Sequence, residues 1–322
     1  KKQLLIAAVA ATMGTAAMAD VSITGDAKFE YFNTETSTVS TNKTNTEVNL
    51  GIKGKNGDTT VVANLEFNTH DAASNMDIED LYMTTKIGDV TVKGGNYATG
   101  TSAILGEIEN GGRASNKVTI SGSTGGVSWY AGNSAAAGEG STQLNGNMFV
   151  GGSMDVAGWK VQAKHNSATV DSFGISGEVS GVGIRLEQKN DTAANGDTTF
   201  GNVTYSTNGI DLAYAWLDSD KANQIDEDDS AIFAVENGIV TATTDTGNAQ
   251  ITAKTSVAGN TVTVKSGSVE NGIATGTDLD YTQIAVSRPL ASGATFAATY
   301  TDKDDSATTD TQILELDLSV KF

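Results

Sequence analysis

The 322-residue chain has no cysteine, one proline (Pro289) and two histidines, His70 and His165. Without thiols there is no disulfide framework, zinc–thiolate centre, iron–sulfur cluster or cysteine nucleophile. Two histidines so far apart in sequence exclude an HExxH helix and a multi-histidine metal centre. Basic residues are scarce: 20 Lys and Arg stand against 39 Asp and Glu, a formal charge of −19. That is the wrong sign for a protein that neutralises nucleic-acid phosphates. Aromatic residues make up 6% and hydrophobic residues 38% of the chain, which is lean for a dry interior of this size. No apolar run reaches the ~18 residues of a transmembrane helix.

The first residues point to export. Lys1 and Lys2 precede an apolar run from Leu4 to Ala11, and Ala17-Met18-Ala19 places small residues where a signal peptidase cuts. Residues 1–19 are therefore predicted to be a signal peptide, and 20–322 the exported chain.

Alternation is what the chain has in abundance. In Thr311–Phe322, Leu314, Leu316, Leu318, Val320 and Phe322 share one face, while Glu315, Asp317, Ser319 and Lys321 share the other. A period of two is a strand signal that no helix reproduces. Charges recur on the second face of segment after segment, among them Lys53, Glu66, Lys93, Lys160, Lys164, Glu178, Arg185, Glu187 and Asp211.

Sixteen such segments can be drawn, from 21–33, 45–55 and 59–68 through 90–97 and 210–218 to 279–288, 294–301 and 311–322. Short connections rich in Gly and Asn, such as Asn56-Gly57-Asp58, Ser180-Gly181 and Thr207-Asn208-Gly209, alternate with long ones at 34–44, 69–78, 98–115, 134–144 and 219–278. This parity predicts an all-β fold, a 16-stranded antiparallel transmembrane β-barrel with short periplasmic turns and long extracellular loops. Closure is required because lipid cannot satisfy the hydrogen bonds of a sheet edge. A barrel of this size leaves an aqueous lumen, so the apolar residues form an outer belt. Tyr31, Phe67, Tyr82, Trp129, Trp159, Tyr214, Trp216 and Tyr300 are placed to form its aromatic girdles.

Several stretches resemble the general porins of Gram-negative outer membranes. They are Val21-Ser22-Ile23-Thr24-Gly25, Asn49-Leu50-Gly51-Ile52-Lys53-Gly54-Lys55, the run from Lys86 to Gly95, and the carboxyl-terminal Phe322 ending an alternating strand. The resemblance implies a homotrimeric diffusion channel for ions and small hydrophilic solutes, embedded in outer-membrane lipid and lipopolysaccharide, with no enzymatic activity and no cofactor. It also implies that the third long loop folds inward, which makes Glu107, Glu109 and Arg113 the pore constriction. The arginine ladder of many family members is not reproduced, since Asp26, Asn49, Gly95 and Ser123 stand at those positions. Lys28, Lys53, Lys93 and Lys117 are the neighbouring pore-wall candidates.

The acidic excess gathers in the connections. Asp220, Asp226, Glu227, Asp228 and Asp229 fall in 219–278, and Asp302, Asp304, Asp305 and Asp310 in the last loop. A mouth of one sign concentrates counter-ions, so mild cation preference is expected. The run from Asp218 to Asp229 fails the EF-hand template, because Ala222 and Asn223 stand where a carboxylate and a Gly belong. That leaves loose divalent bridging between loops or to lipopolysaccharide as the calcium reading. Within 219–278, residues 249–254 and 261–265 flank Val257-Ala258-Gly259-Asn260, a hairpin expected as a small β-extension outside the membrane. An acidic surface-layer or adhesin-like β-protein is the competing class, but it has no reason for the loop parity. A hydrolase would need a nucleophile, base and acid at one site, and neither His70 nor His165 stands beside such a set.

Overall fold

The computed structural model describes residues 20–69, 76–97, 117–134, 148–167, 170–191, 196–220, 233, 245–271, 278–305 and 310–322. They form one 18-stranded antiparallel sheet. In chain order the strands are β1 (Asp20–Thr36), β2 (Ser40–Asn56), β3 (Thr59–Asn68), β4 (Asp77–Ile87), β5 (Val90–Asn96), β6 (Lys117–Thr124), β7 (Val127–Ser134), β8 (Met148–Val156) and β9 (Trp159–Asn166). The ring continues with β10 (Val170–Val179), β11 (Val182–Asp191), β12 (Gly196–Thr207), β13 (Ile210–Ser219), β14 (Asp245–Val257), β15 (Asn260–Asn271), β16 (Leu279–Pro289), β17 (Ala294–Asp305) and β18 (Thr311–Lys321). Each strand pairs with its sequence neighbours, and β1 pairs with β18, so the sheet has no edge.

The strand count corrects the expected sixteen. Residues 249–265 do form a hairpin, but it is no extension outside the wall. β14 pairs with β13 from Ile210↔Thr255 to Asp218↔Gly247, and β15 pairs with β16 from Thr261↔Ser287 to Val269↔Leu279. The outward positions of β14 read Ala249, Ile251, Ala253, Thr255 and Val257, too weakly apolar for the alternation to stand out in sequence. The loop expected at 34–44 is also strand. β1 and β2 run on to Thr36 and back from Ser40, where the Thr36 N–H donates to Val39 O at 2.9 Å.

The parity of the connections survives the extra hairpin, because inserting two strands leaves every other turn at the same end. Five of the short turns hold two successive residues at positive φ: Gly125-Gly126 (60°, 83°), Ala157-Gly158 (50°, 85°), Ser180-Gly181 (52°, 81°), Asn208-Gly209 (50°, 76°) and Ala258-Gly259 (50°, 78°). This is the backbone of type I′ turns, whose twist matches that of the flanking strands.

The two faces differ as a membrane requires. Val21, Ile23, Phe29, Leu212, Ile284, Leu314, Leu318 and Val320 are all exposed on the outside, while Asp26, Lys28 and Glu30 of β1, Asp211 of β13 and Glu315 and Asp317 of β18 alternate inward; Asp280 and Arg288, at the two ends of β16, share the outward face of Ile284. Among the described residues no helix is long and apolar enough to cross a membrane. Seven of the eight girdle aromatics fall on the outward face by register. Tyr82 does not: it lies inside, with the Lys93 ammonium 3.7 Å from its ring centre.

The inner face is not uniformly polar either. Phe200, Leu217, Val269, Leu279 and Tyr281, contributed by β12, β13, β15 and β16, are buried together with Phe233 from the connection after β13. An interior of water and charge alone was the sequence expectation, and this apolar patch departs from it.

Candidate functional site: the charged lumen

Because inward residues recur every second position, the lumen wall can be read directly from the registers. Asp26, Lys28, Asn49, Lys53, Lys93 and Lys117, the wall residues expected from sequence, all lie on the inward face: Asp26↔Asn49, Lys28↔Glu47, Ser22↔Lys53, Lys93↔Thr119. Glu107, Glu109 and Arg113 lie outside the described residues, as do His70 and Asp226–Asp229.

Acids dominate one side of the ring. On β1, β2, β3, β4 and β18 the inward carboxylates are matched with amides. Asn45 Nδ2 donates to Glu30 Oε2 at 2.9 Å, Asn49 Nδ2 to Glu47 Oε1 at 2.7 Å and to Asp26 Oδ2 at 3.4 Å, Asn64 Nδ2 to Asp80 Oδ2 at 2.8 Å, and Asn68 Nδ2 to Glu66 Oε1 at 2.7 Å. Glu315 and Asp317 join Glu30, the three carboxylates coming within 4.8 Å of one another. Lys28 Nζ sits 2.7 Å from Glu30 Oε1 and partly neutralises the group. Each asparagine spends an N–H on a carboxylate, so the wall holds its acids in fixed rotamers and presents mostly acceptors.

Bases dominate the arc from β5 to β11, which adjoins the acidic side and continues round to the strands opposite β1. Lys93 on β5 is held between two phenol rings, Tyr82 at 3.7 Å and Tyr97 at 3.8 Å, a cation–π cradle that orients the ammonium without neutralising it. Gly95 makes the cradle possible: its φ is +138°, and a Cβ there would meet Leu81 O at 2.3 Å and Tyr82 Cα at 2.6 Å. Lys117, at the start of β6, donates to Tyr97 O. Tyr97 Oη is tied to Thr119 Oγ1 at 2.6 Å. Lys164 on β9 and Lys189 on β11 flank Ser172 of β10. Next to them Arg185 donates to Glu187 through Nε at 2.9 Å, with Nη2 at 2.8 Å from the same oxygen. The Arg185 guanidinium also lies 5.3 Å from the centre of the Phe200 ring.

In an 18-membered ring β1 and β10 are diametrically opposed. Glu30, Glu315 and Asp317 therefore face Lys164, Lys189 and Arg185 across the lumen. No arginine ladder is present, yet the folded ring rebuilds the asymmetry with Lys164, Lys189 and Arg185 from other strands. From sequence, Lys164 and Arg185 stand out only as members of a charged face, and Lys189 does not stand out at all. Which charges stand opposite which depends on the strand count, which is eighteen where the sequence pattern predicts sixteen.

Arg185 and Glu187 yield a stability test. The Glu187 side chain is fully buried while that of Arg185 is 21% exposed. Removing the guanidinium leaves a buried carboxylate without its main counter-charge. Arg185→Met is expected to destabilise the barrel by about 3 kcal/mol, read as a lower urea midpoint for unfolding from lipid vesicles.

No family model matches the chain, and no curated protein matches it. Solved structures do. Pseudomonas aeruginosa OpdK with vanillate superposes with a TM-score of 0.67 at 11% identity, covering 94% of this chain and 98% of that one. The chain shares the fold of these outer-membrane proteins. OccK11 (OpdR) of the same organism gives 0.67 at 12% identity, with coverage of 94% and 96%. OccK9 (OpdG) gives 0.65 at 12%, with coverage of 94% and 99%. At such identity the likeness is one of architecture, and these neighbours share with this chain the closed barrel itself.

Proposed function

We propose that the protein is an outer-membrane porin, a passive diffusion channel for ions and small hydrophilic solutes. The observation that carries this reading is the closed 18-stranded ring with an apolar outside and opposed acidic and basic arcs within. Such a lumen works by hydrated width and by a transverse field that orients dipolar solutes, without energy coupling, cofactor or covalent chemistry. The surface-layer or adhesin reading is not favoured, since a single closed barrel has no dry middle between stacked sheets. Glu107, Glu109 and Arg113 remain the proposed constriction, residues 1–19 the proposed signal peptide, and a homotrimer in lipid and lipopolysaccharide the proposed assembly.

Mild cation preference belongs to this proposal and rests on the acid-rich connections at the long-loop end. Planar bilayers with a KCl gradient test it: a reversal potential of the cation-selective sign is expected, moving toward zero in a Glu107→Gln, Glu109→Gln variant. Chloride selectivity would overturn it and support a second reading, in which the basic arc makes the channel favour small carboxylates. Vanillate, bound in the OpdK structure, belongs to that chemical class.

A further inference from the structure

We propose that a cavity in the inner wall of β18, β1, β2, β3 and β4 is a binding niche for small hydroxylated amines, which its acceptor-lined surface holds by their ammonium and hydroxyl hydrogens. This rests on the channel reading and names the class of solute that the acidic side of the wall retains.

Two neighbouring inward rows build the niche. In one, Asp26 stands between Lys321 and Asn49; in the next, one step nearer the short turns, Thr24, Gly51, Asn64 and Asp80 follow one another across β1 to β4. Gly51 is the floor. A cavity of about 430 Å³ opens over it, edged by Thr24, Asp26, Asn49, Asn64, Asp80 and Lys321, and that volume is in the range of small-molecule sites. The point where a Cβ would stand on Gly51 lies 3.1 Å from Thr24 Oγ1 and 3.4 Å from Asn64 Oδ1, so a hydroxyl and a carbonyl oxygen aim at the space above the floor.

A bulge adds to the charge. Asn64 pairs with Asp80 but Leu65 pairs with Ile78, which leaves Glu79 as an extra residue of β4. In a regular strand Glu79 and Asp80 would point to opposite faces, whereas here both line the same cavity. The hydrogen-bond inventory then decides what can bind. Asn64 Nδ2 donates to Asp80 Oδ2 at 2.8 Å, and Asn49 Nδ2 donates to Glu47 Oε1 at 2.7 Å and to Asp26 Oδ2 at 3.4 Å. Both amides turn their N–H side to a carboxylate and keep the carbonyl oxygen as an acceptor. Against Asp26, Glu79 and Asp80, Lys321 alone supplies a cation at the edge. Such a surface repels an anion and offers a neutral sugar no counter-charge. An ammonium brings three donors to the carboxylates, in the stronger charge-assisted form, while hydroxyls beside it donate to Asn64 Oδ1 and Thr24 Oγ1.

Titration calorimetry on the folded protein in detergent micelles tests the niche with glucosamine as the probe, in low salt at about pH 6, where its amine is protonated. A Kd on the order of 1 mM is expected. Glucose, which lacks the ammonium, and ethylamine, which lacks the hydroxyls, should each bind weaker by roughly tenfold or more. Gly51→Val fills the floor without backbone strain, since Gly51 is not at positive φ, and Asp80→Asn removes a charge beside Asn64. Each should weaken glucosamine binding roughly tenfold while keeping the folded gel mobility. No heat with glucosamine, equal affinity for glucose or ethylamine, or unchanged affinity in either folded variant would overturn the niche. Should Gly51→Val fail to fold, Asp80→Asn alone decides. A wild type that binds glucosamine but passes no current across a bilayer would overturn the channel reading and leave the niche standing.

Discussion

Gly25→Val is expected to leave the chain without a closed barrel. Gly25 lies on β1 at the seam, where its N–H donates to Phe322 O at 2.9 Å and the Phe322 N–H donates back to Gly25 O at 2.9 Å. A Cβ at this position would come within 2.4 Å of Asn49 O and 2.9 Å of the Phe322 ring. The terminal ring could turn aside, but the Asn49 carbonyl is backbone, fixed by the β1–β2 ladder. Relief would require β1 to part from β2 or β18, and in lipid an opened seam leaves rows of unsatisfied N–H and C=O groups. The comparison with Gly201 shows which contact decides. A Cβ at Gly201 would lie nominally closer to its neighbour, 2.0 Å from Trp216, but it meets the far end of an outward indole that can swing into lipid. Gly201→Ala should therefore fold, with a cost of about 1–3 kcal/mol for the crowding. Heat-modifiable gel mobility and resistance to added protease distinguish the two: the folded band is lost in Gly25→Val and retained in Gly201→Ala.

The second large effect concerns selectivity. Replacing Lys93, Lys117 and Lys164 together with methionine is expected to make the channel strongly cation-selective while leaving its width nearly unchanged. Methionine roughly keeps the volume of each stem and removes the charge. At an effective dielectric of ~20, a charge ~10 Å from a passing ion is worth ~1.7 kcal/mol, so the permeability ratio should move on the order of tenfold toward potassium. Lys117 is 1% and Lys164 8% exposed, and charges so placed are screened less by salt than charges at the mouth. The shift should accordingly persist at 1 M KCl, whereas the contribution of the acidic loops fades. A triple variant with wild-type reversal potential would show that the basic arc does not face the permeation path.

The alternation of β18, where Leu314, Leu316 and Leu318 oppose Glu315, Asp317 and Ser319, made that strand legible from sequence, and the Gly-containing short turns fixed which end was which. β14 and β15 were legible as a hairpin but not as part of the wall, because Ala249, Ala253, Thr255, Ser266 and Ser268 interrupt their outward faces and the contrast between faces is slight. Lys93 and Lys117 could be assigned to the inner face from period alone. Their relation to Tyr82, Tyr97 and Gly95 could not, because the cradle is built across strand pairs and depends on one glycine at positive φ. Phe233 lay beyond reach for another reason. It sits in a stretch without periodicity, and only packing against Phe200 reveals which side of the wall it occupies.

The central claim is that, across the middle of the strands of the eighteen-membered ring, charge looks inward to water and the apolar face outward to lipid. Because the chain has no cysteine, single nitroxide labels can be placed at will. The most direct test is collision with lipid-soluble oxygen against a water-soluble nickel chelate at Leu316, Asp317, Leu318 and Ser319 of β18 and at Thr252 and Ala253 of β14. Oxygen should dominate at Leu316, Leu318 and Ala253, and nickel at Asp317, Ser319 and Thr252. Nickel access at every one of the six positions would contradict the barrel and the function built on it.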